Sequence, residues 1–425
     1  MSEVTPDVRP IGRYEYPTHL QWKETNPAAL AELAATLSKH DLKLPDPLVA
    51  MRGGGMMEPV TNDLAPRYKA FLSNDRPIAV LPVKEEAGGK LTDVVHFPAK
   101  KEGGAIRFDA NLAAYKFHVG QYVYEHWDKA NGPPPLTQVR AVDELPDGRF
   151  VTIDRHRPYL RGIGKGSGTL GMHEMDTARI SPQETRQLVH VLDALHPTVS
   201  DFRTWLSDKQ LALPQESLLH EHNPLTALRG QEWWIDPDAG MDRLRELGAK
   251  AETLQKEFSA IDPAFHAKDA VEQMIHNNVG IFPHRDGHTD TAAQVASLHV
   301  VHGTLYPDNI HRSQTPDRMK TYVTVTGGDR AHIGLAGESI DWLVSAAAES
   351  PAHQEALISE FLTLHPTDTD KRGLAMHVLY RTLSEASWFA SQGKTAELSN
   401  LTKLSYDIMN GNGVWQGVNT PYSSS

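Results

Sequence analysis

One short segment, Val300 to Ile310 (VVHGTLYPDNI), combines residue types whose spacing suits phosphoryl transfer. A run with strand character ends at His302 and Gly303, and Asn309 follows six positions after the glycine. Phosphoryl transfer needs a carboxylate that orients and deprotonates the attacking hydroxyl, and an amide oxygen that helps to hold Mg²⁺. Asn309 offers the amide, and Asp308 offers a carboxylate next to it. We expect this segment to be a loop that faces a cleft.

The elements that must position this loop change in character along the chain. Before residue 156, short runs with strand character are separated by Gly, Asn-Asp and Glu-Glu breaks. The predicted strands are Pro47 to Met51, Tyr68 to Leu72, Ile78 to Val83, Val94 to Phe97, Leu136 to Val142 and Phe150 to Ile153, followed later in the chain by a short strand pair at Ser297 to Val301 and Tyr322 to Val325.

After the glycine-rich stretch from Gly162 to Gly171, helical periodicity dominates. Ser181, Pro182 and Glu184 form a capping box with proline at the first helical position, which predicts a helix start. The predicted helices of the whole chain are Pro27 to His40, Ala110 to Lys129, the one that begins at Pro182, Asp242 to Phe258, Asp269 to His276, Ala352 to Leu364 and Arg372 to Phe389.

This order, mainly strands and then mainly helices, predicts an α+β fold with two lobes that meet near residues 155 to 165. We predict an N-terminal extension with a short helix over 1–45, a β-rich N-lobe over 46–158 and a helical C-lobe over 159–425. The loop then belongs to the C-lobe, within residues 300–345.

His302, Gly303 and Asn309 match in type and spacing the catalytic loop H-G-D-x-x-x-x-N of the aminoglycoside phosphotransferase family, which the chain resembles. Leu192 to His196 (LDALH) is similar to the end of the first large-lobe helix of that family. Ala331 to Gly334 (AHIG) is similar to the segment after its second metal-binding aspartate. The resemblance, shared with choline kinases, implies a bilobal, protein-kinase-like fold with one long helix in a small β-rich N-lobe and a larger, mainly helical C-lobe.

The chain departs from this family at two positions that matter for chemistry. Thr304 stands where the family has its catalytic aspartate, and Gly327 stands where the metal-binding aspartate is expected. Asp329 lies two residues further on and reaches a metal only if the backbone shifts, which Mg²⁺ tolerates poorly because it requires near-octahedral oxygen ligands. The resemblance therefore places His302 and Thr304 at catalytic positions and Asn309 at a Mg²⁺ site. Asp308 and Asp329 are the neighbouring carboxylates that could replace the missing aspartates, Asp308 as a catalytic residue and Asp329 as a metal ligand.

The resemblance also implies an ATP site with a lysine that contacts phosphate. We favour Lys100 because its strand directly precedes the long helix, with Lys84 and Lys101 as alternatives. Gln121 falls near the position of the helix glutamate that pairs with this lysine, and Glu125 lies one turn further on. Lys100, Gln121 and Asn309 are thus the predicted cofactor-binding residues.

Two functions follow from these departures. The first is a phosphotransferase-like protein that binds a nucleotide or small metabolite between its lobes, with phosphoryl transfer weak or lost. The second is an active ATP-dependent kinase that phosphorylates a hydroxyl-bearing small molecule, with Asp329 or Asp308 as a substitute carboxylate. A metal site built on His284, Asp286, His288 and Asp290 ranks behind both, although imidazole and carboxylate groups bind divalent metals.

Two glycine-rich segments, together with the length, net charge and cysteine content of the chain, narrow the range of functions. Arg52 to Gly55 (RGGG) lies where a nucleotide-covering loop belongs, and Gly162 to Gly168 (GIGKGSG) is interpreted as a flexible connector because it lacks the spacing of a phosphate-binding loop. The chain has 425 residues, a net charge of −12 and no cysteine, which argues against non-specific nucleic-acid binding and excludes thiolate chemistry. No apolar run is long enough for a membrane helix, and a cytoplasmic location is expected.

Overall fold

The computed structural model describes residues 27–43, 49–52, 56–59, 78–80, 83–84, 93–97, 118–128, 132–136, 139–144, 150–155, 159–166, 169–209, 246–281, 298–303, 305–314, 321–326 and 332–422. Its contacts divide the chain into two compact units. Unit 1 contains Met1–Asp109 and Val139–His156, and unit 2 contains Ala110–Gln138 and Arg157–Ser425. The predicted lobe boundaries stay a prediction.

Unit 1 is built on an antiparallel sheet of six strands, in the order β3-β2-β4-β6-β8-β7. A second, two-stranded sheet pairs β1 with β5. One helix, α1 (Pro27–Ser38), precedes them. The strands are β1 (Leu42–Lys43), β2 (Val49–Arg52), β3 (Met56–Pro59), β4 (Ile78–Val80), β5 (Val83–Lys84), β6 (Asp93–Phe97), β7 (Val139–Glu144) and β8 (Phe150–Arg155).

Most predicted elements of this part are found close to their predicted positions. The strand predicted over Ile78 to Val83 is split into β4 and β5, and the one predicted at Tyr68 to Leu72 lies outside the described residues. The helix predicted over Ala110 to Lys129 is described from residue 118 and gives α2 (Gly120–His126), which belongs to unit 2. It ends at His126 because Trp127 takes an extended conformation.

Unit 2 holds two small sheets. In the first, β11 (Ile310–Gln314) lies between β9 (Tyr159–Gly162) and β12 (Thr321–Val325), and all neighbours are antiparallel. In the second, β10 (Leu298–Val301) pairs with β13 (His332–Leu335).

The predicted pairing of Ser297 to Val301 with Tyr322 to Val325 is wrong, although both segments are strands. β12 forms a hairpin with β11, the strand directly before it in the chain. This leaves β10 to pair with β13. No sequence pattern marked β11 or β13 as a strand, so the predicted pairing joined β10 and β12, the two strands that were expected in this part of the chain.

The rest of unit 2 is helical. Its further helices are α3 (Thr169–His173), α4 (Pro182–Asp193), α5 (Val199–Lys209), α6 (Gln255–Ile261), α7 (Ala267–Asn278), α8 (Asp341–Ala346), α9 (Pro351–Leu364), α10 (Asp368–Ser391) and α11 (Thr395–Asn410), with a further helical segment over 246–253. The predicted capping box is present, since Ser181 Oγ accepts from the Glu184 backbone N–H and the Glu184 carboxylate accepts from that of Ser181. Phe202, Phe258, Phe361 and Phe389 are fully buried among these helices.

Arg372 of α10 fixes the C-terminal segment of unit 2. Its buried guanidinium donates to the carbonyl oxygens of Gly417 at 2.9 Å and Thr420 at 2.8 Å, and to Asn278 Oδ1 at 3.0 Å. A guanidinium has five N–H donors and suits such a set of oxygens. Across the described residues, no helix combines the length and the apolar character that a membrane span requires.

Candidate functional site

Strand β10 leads directly into the predicted catalytic loop. The strand is buried at Val300 and Val301, and the loop begins at His302, which is fully buried. Gly303 follows with φ of +74°, a left-handed conformation that glycine adopts without steric cost. Thr304 lies outside the described residues. A buried imidazole followed by a left-handed glycine makes an abrupt turn at the end of the strand.

The second half of the loop is a single 3₁₀ turn, Pro307–Asn309, that runs into β11. The Asn309 backbone N–H donates to the Tyr306 carbonyl at 2.9 Å, and the Asn309 carbonyl accepts from the Thr326 backbone N–H at 2.8 Å. Leu305 and Ile310 are buried on either side of the turn. These contacts fix the backbone of Asn309, while its side chain remains half-exposed.

Beyond the turn, His311 of β11 packs into the same region. Its Nε2 lies 3.0 Å from Thr326 Oγ1. Burial lowers the pKa of His311 to about 4, so its imidazole is neutral at pH 7. His311 was not among the predicted site residues, because a histidine that follows Ile310 in a short strand has no distinguishing sequence pattern.

The carboxylate of Asp308 packs against the glycine-rich stretch. A Cβ on Gly164 would lie 2.6 Å from Asp308 Oδ1, and one on Gly171 would come closer still. Separations below 3.0 Å do not occur between real atoms of this kind, so both positions require glycine. Asp308 therefore lies in close contact with the backbone of this stretch. The glycine-rich stretch is visible in the sequence, but its contact with Asp308 was not predicted.

The described part of that stretch is packed, which corrects its interpretation as a flexible connector. The Ile163 backbone N–H donates to the Ile310 carbonyl at 2.9 Å, and that of Lys165 donates to the Glu174 carbonyl at 3.0 Å. Lys165 Nζ lies 3.0 Å from Glu174 Oε2 and also pairs with Glu349. Since two carboxylates bind this ammonium group, Lys165 is not placed as a phosphate ligand.

The loop is also braced from α8 and α10. Tyr306 meets the ring of Trp342 edge to face, with centroids 5.8 Å apart. The guanidinium of Arg381 lies 3.9 Å from the centre of the Trp342 ring, and its Nε donates to Asp341 Oδ2 at 3.0 Å. Asp341 is buried, and burial raises the pKa of its carboxyl to about 7, against the opposing effect of Arg381.

The small-lobe candidates are only partly described. Lys84 lies on β5, whereas Lys100 and Lys101 lie outside the described residues. Gln121 is half-buried on α2. Glu125 Oε2 accepts from Trp205 Nε1 at 3.0 Å and lies 2.7 Å from Lys209 Nζ. Because α5 binds the Glu125 carboxylate, Gln121 remains the predicted partner of the phosphate lysine.

The described residues do not make up a magnesium site. Asn309 supplies one neutral amide oxygen, Gly327 and Asp329 lie outside the described residues, and no group of three or more His, Asp or Glu side chains within the described ranges is arranged to hold a metal. Mg²⁺ is bound through carboxylates and phosphate oxygens in near-octahedral geometry. The residues of the predicted histidine-rich metal site, 284–290, also lie outside the described ranges.

Comparisons with known proteins give structural similarities to enzymes that phosphorylate small molecules. No protein-family model matches the chain, and no curated protein matches it. A macrolide 2'-phosphotransferase from Brachybacterium faecium is 14% identical, with 88% of this chain and 98% of that chain covered and a TM-score of 0.43. A choline kinase from Cryptosporidium parvum Iowa II is 11% identical, with 79% of this chain and 88% of that chain covered and a TM-score of 0.38.

A third similar structure is the GDP complex of wild-type aminoglycoside 2'-phosphotransferase-IIIa. It is 12% identical, with 80% of this chain and 90% of that chain covered and a TM-score of 0.36. The chain is thus similar to aminoglycoside and macrolide phosphotransferases and to choline kinase.

Proposed function

We propose that the protein is a phosphotransferase-like protein that binds a nucleotide or a small metabolite and whose phosphoryl transfer is weak or lost. The proposal rests mainly on the carboxylates of the loop region, two of which are replaced and one of which contacts the glycine-rich stretch. Thr304 and Gly327 stand where aspartates are expected. Asp308, the carboxylate inside the loop, packs against Gly164 and Gly171. We infer that Asp308 holds the loop against these glycines and does not serve as the catalytic base.

The size of the expected loss follows from the roles of the missing groups. General-base catalysis contributes about 10²- to 10⁴-fold, or roughly 3–5 kcal/mol of the activation barrier. A metal-binding carboxylate supports electrostatic stabilisation of the transferred phosphoryl group, which is usually the larger contribution. With both positions substituted, His302 and Asn309 preserve the backbone of the loop while the proton acceptor and the metal ligand are missing from their usual places.

The Mg²⁺ dependence of nucleotide binding distinguishes this proposal from an active kinase. Thermal unfolding of the full chain should be measured with ATP and with GTP, each with and without Mg²⁺. A ligand at 100 times its Kd stabilises the folded state by about 2.7 kcal/mol. We expect stabilisation that does not require Mg²⁺. Stabilisation only with Mg²⁺, accompanied by nucleotide turnover, would instead support an active kinase that uses Asp329 or Asp308.

Restoring the two aspartates tests the same proposal from the opposite side. The double variant Thr304→Asp/Gly327→Asp should gain nucleotide hydrolysis, by about 10²- to 10⁴-fold for the general base alone. The matched control, Thr304→Asn/Gly327→Asn, adds side chains of similar size without charge and should gain nothing. A natural chain that already turns over nucleotide as fast as the aspartate variant would contradict the proposal.

A further inference from the structure

Arg381 of α10 has hydrogen-bond donors that the fold does not use. Its Nε donates to Asp341 Oδ2 at 3.0 Å, the one hydrogen bond that the guanidinium makes within the described part of the chain. A guanidinium has five N–H donors, so the four on its two Nη atoms remain. The side chain is 19% exposed, and neither Nη atom is among the buried polar atoms without a partner. A ligand can therefore reach both Nη atoms from solvent.

The guanidinium of Arg381 is held next to the loop that contains Asn309. Its Cζ lies 3.9 Å from the centre of the Trp342 ring, and this ring meets Tyr306 edge to face, with centroids 5.8 Å apart. Tyr306 directly precedes the 3₁₀ turn of the loop. Because the Trp342 ring covers one face of the planar guanidinium and Asp341 binds Nε, the direction of the two Nη atoms is fixed.

The accessible charges around Arg381 are positive. Lys250 Nζ lies 5.3 Å from the centre of the Tyr380 ring, and Arg381 Cζ lies 5.4 Å from the same centre. The two carboxyl groups that act on Arg381, those of Asp341 and Glu338, are buried, whereas Lys250 is half-buried. Burial also raises the pKa of Asp341 to about 7, so at pH 7 its carboxyl is partly protonated and neutralises less of the arginine charge. An anion that approaches from solvent meets the two cations first.

We propose that the two Nη atoms of Arg381 bind an oxyanion, a carboxylate or a phosphate, of a small metabolite. The proposal rests on the function proposed above and names the chemical class of the metabolite. Hydrogen bonds from a guanidinium to an oxyanion are charge-assisted and frequently bidentate, which makes them strong and directional. Tyr306, Trp342 and Tyr380 are all partly exposed, so an apolar group attached to the oxyanion has aromatic rings to contact.

Phenyl phosphate and benzoate are suitable probes, with benzyl alcohol as a neutral counterpart. We expect isothermal titration calorimetry of the full chain to show binding of at least one of the two anions, about tenfold or more tighter than binding of benzyl alcohol, because charge-assisted hydrogen bonds are the stronger ones. The anion that binds more tightly identifies the group as phosphate or carboxylate. Equal binding of all three probes, or binding of none, would overturn the proposal.

Arg381→Lys tests the planar geometry of the site. The variant keeps a cation beside Asp341 but replaces the fork of N–H donors by one ammonium group, so it should weaken binding of the preferred anion about tenfold. Urea denaturation verifies that the variant is folded. Arg186→Lys is the matched control, because it changes an exposed arginine of α4 and should leave binding unchanged. If both variants bind the anion as tightly as the natural chain, Arg381 is not the receptor.

Lys250→Met tests the site without changing the contacts of Asp341. It removes the second cation near Tyr380 and should weaken binding of the anion about threefold. Lys268→Met is its control, because it removes an exposed lysine of α7 that pairs with Glu252, and binding should stay the same. Equal weakening by the two lysine variants would show non-specific charge attraction and refute the assignment.

Competition with ATP distinguishes the metabolite from the nucleotide. ATP at a concentration that stabilises the chain should leave binding of the anionic probe unchanged. Displacement of the probe by ATP would overturn the assignment, because the phosphates of the nucleotide would then occupy Arg381. Stabilisation by nucleotide without binding of either anion would reject the oxyanion site alone. Binding of the anion without any stabilisation by nucleotide would reject nucleotide binding and support the oxyanion site.

Discussion

At the scale of single residues, the contact between Asp308 and two glycines is the most specific feature of the candidate site. Gly164 belongs to the segment after β9, and Gly171 lies inside α3, yet both face the same carboxylate. Helical positions normally favour alanine over glycine by about 1 kcal/mol. Gly171 is therefore kept by the close approach of the loop and not by the conformation of its own helix.

Replacing Gly171 by alanine should destabilise the protein. The new Cβ overlaps both Asp308 and the Gly166 carbonyl oxygen, and overpacking of this kind costs about 1–3 kcal/mol. Urea denaturation would measure the change. Gly248→Ala is the matched control, because its Cβ would have 3.5 Å to the nearest atom, Glu272 Oε1, and should be neutral or stabilising by up to about 1 kcal/mol. Equal stability of both variants would argue against a close Asp308 contact.

At the scale of secondary-structure elements, α8 and α10 hold the loop through a chain of charged and aromatic contacts. Arg381 of α10 pairs with Asp341 of α8 and covers the ring of Trp342, which in turn meets Tyr306 of the loop. Asp341 is 1% exposed, so its carboxylate depends on Arg381 and on the Trp342 backbone N–H for compensation. The loop conformation thus depends on two helices that follow it in the sequence.

Arg381→Met should therefore be strongly destabilising. It removes the cation that lowers the pKa of the buried Asp341 carboxyl, which must then stay charged without compensation or take up a proton. We expect a loss of up to about 3–5 kcal/mol, which chemical denaturation would detect. Lys403→Met breaks an exposed pair with Asp407 on α11 and should cost less than about 1 kcal/mol. Adding Asp341→Asn to Arg381→Met should recover part of the loss. If Arg381→Met and Lys403→Met lower the free energy of unfolding by the same amount, the Arg381–Asp341 pair does not stabilise the fold more than an exposed ion pair does.

At the scale of the whole molecule, buried histidines make stability sensitive to acid. Burial lowers the pKa of His118, His196 and His311 from the usual 6.5 to about 4 in each case. Between these values the unfolded chain binds protons that the folded chain does not, so stability falls as pH falls. Asp341 acts in the opposite direction, because its raised pKa makes the folded state bind the extra proton below about pH 7.

The combined effect of the three histidines on the pH dependence of the free energy of unfolding is larger than the opposing effect of Asp341. The free energy of unfolding should therefore decrease as the pH is lowered from about 6.5 to about 4, and urea titrations at pH 7 and pH 5 would measure the decrease. His311→Gln, which cannot be protonated, should reduce the difference between the two pH values. A free energy of unfolding that is constant or rises toward pH 5 would contradict this account.

The sequence by itself determined the local features of this protein. Apolar periodicity and capping residues located most helices, and the Ser181–Glu184 capping box is present as predicted, because these signals depend on neighbours within one turn. The spacing of His302, Gly303 and Asn309 predicts the loop and the aspartate position that Thr304 occupies, whereas the position of Gly327 was counted back from the segment over 331–334. Both assignments stay predictions.

Tertiary structure alone decided how distant segments meet. It paired β10 with β13, packed the glycine-rich stretch against Asp308 and placed the guanidinium of Arg381 over the ring of Trp342. Such contacts join residues that are far apart in the chain, and each depends on backbone positions that no local pattern encodes. The same amino acids, glycine, histidine and aspartate, take their roles here from what the fold places against them.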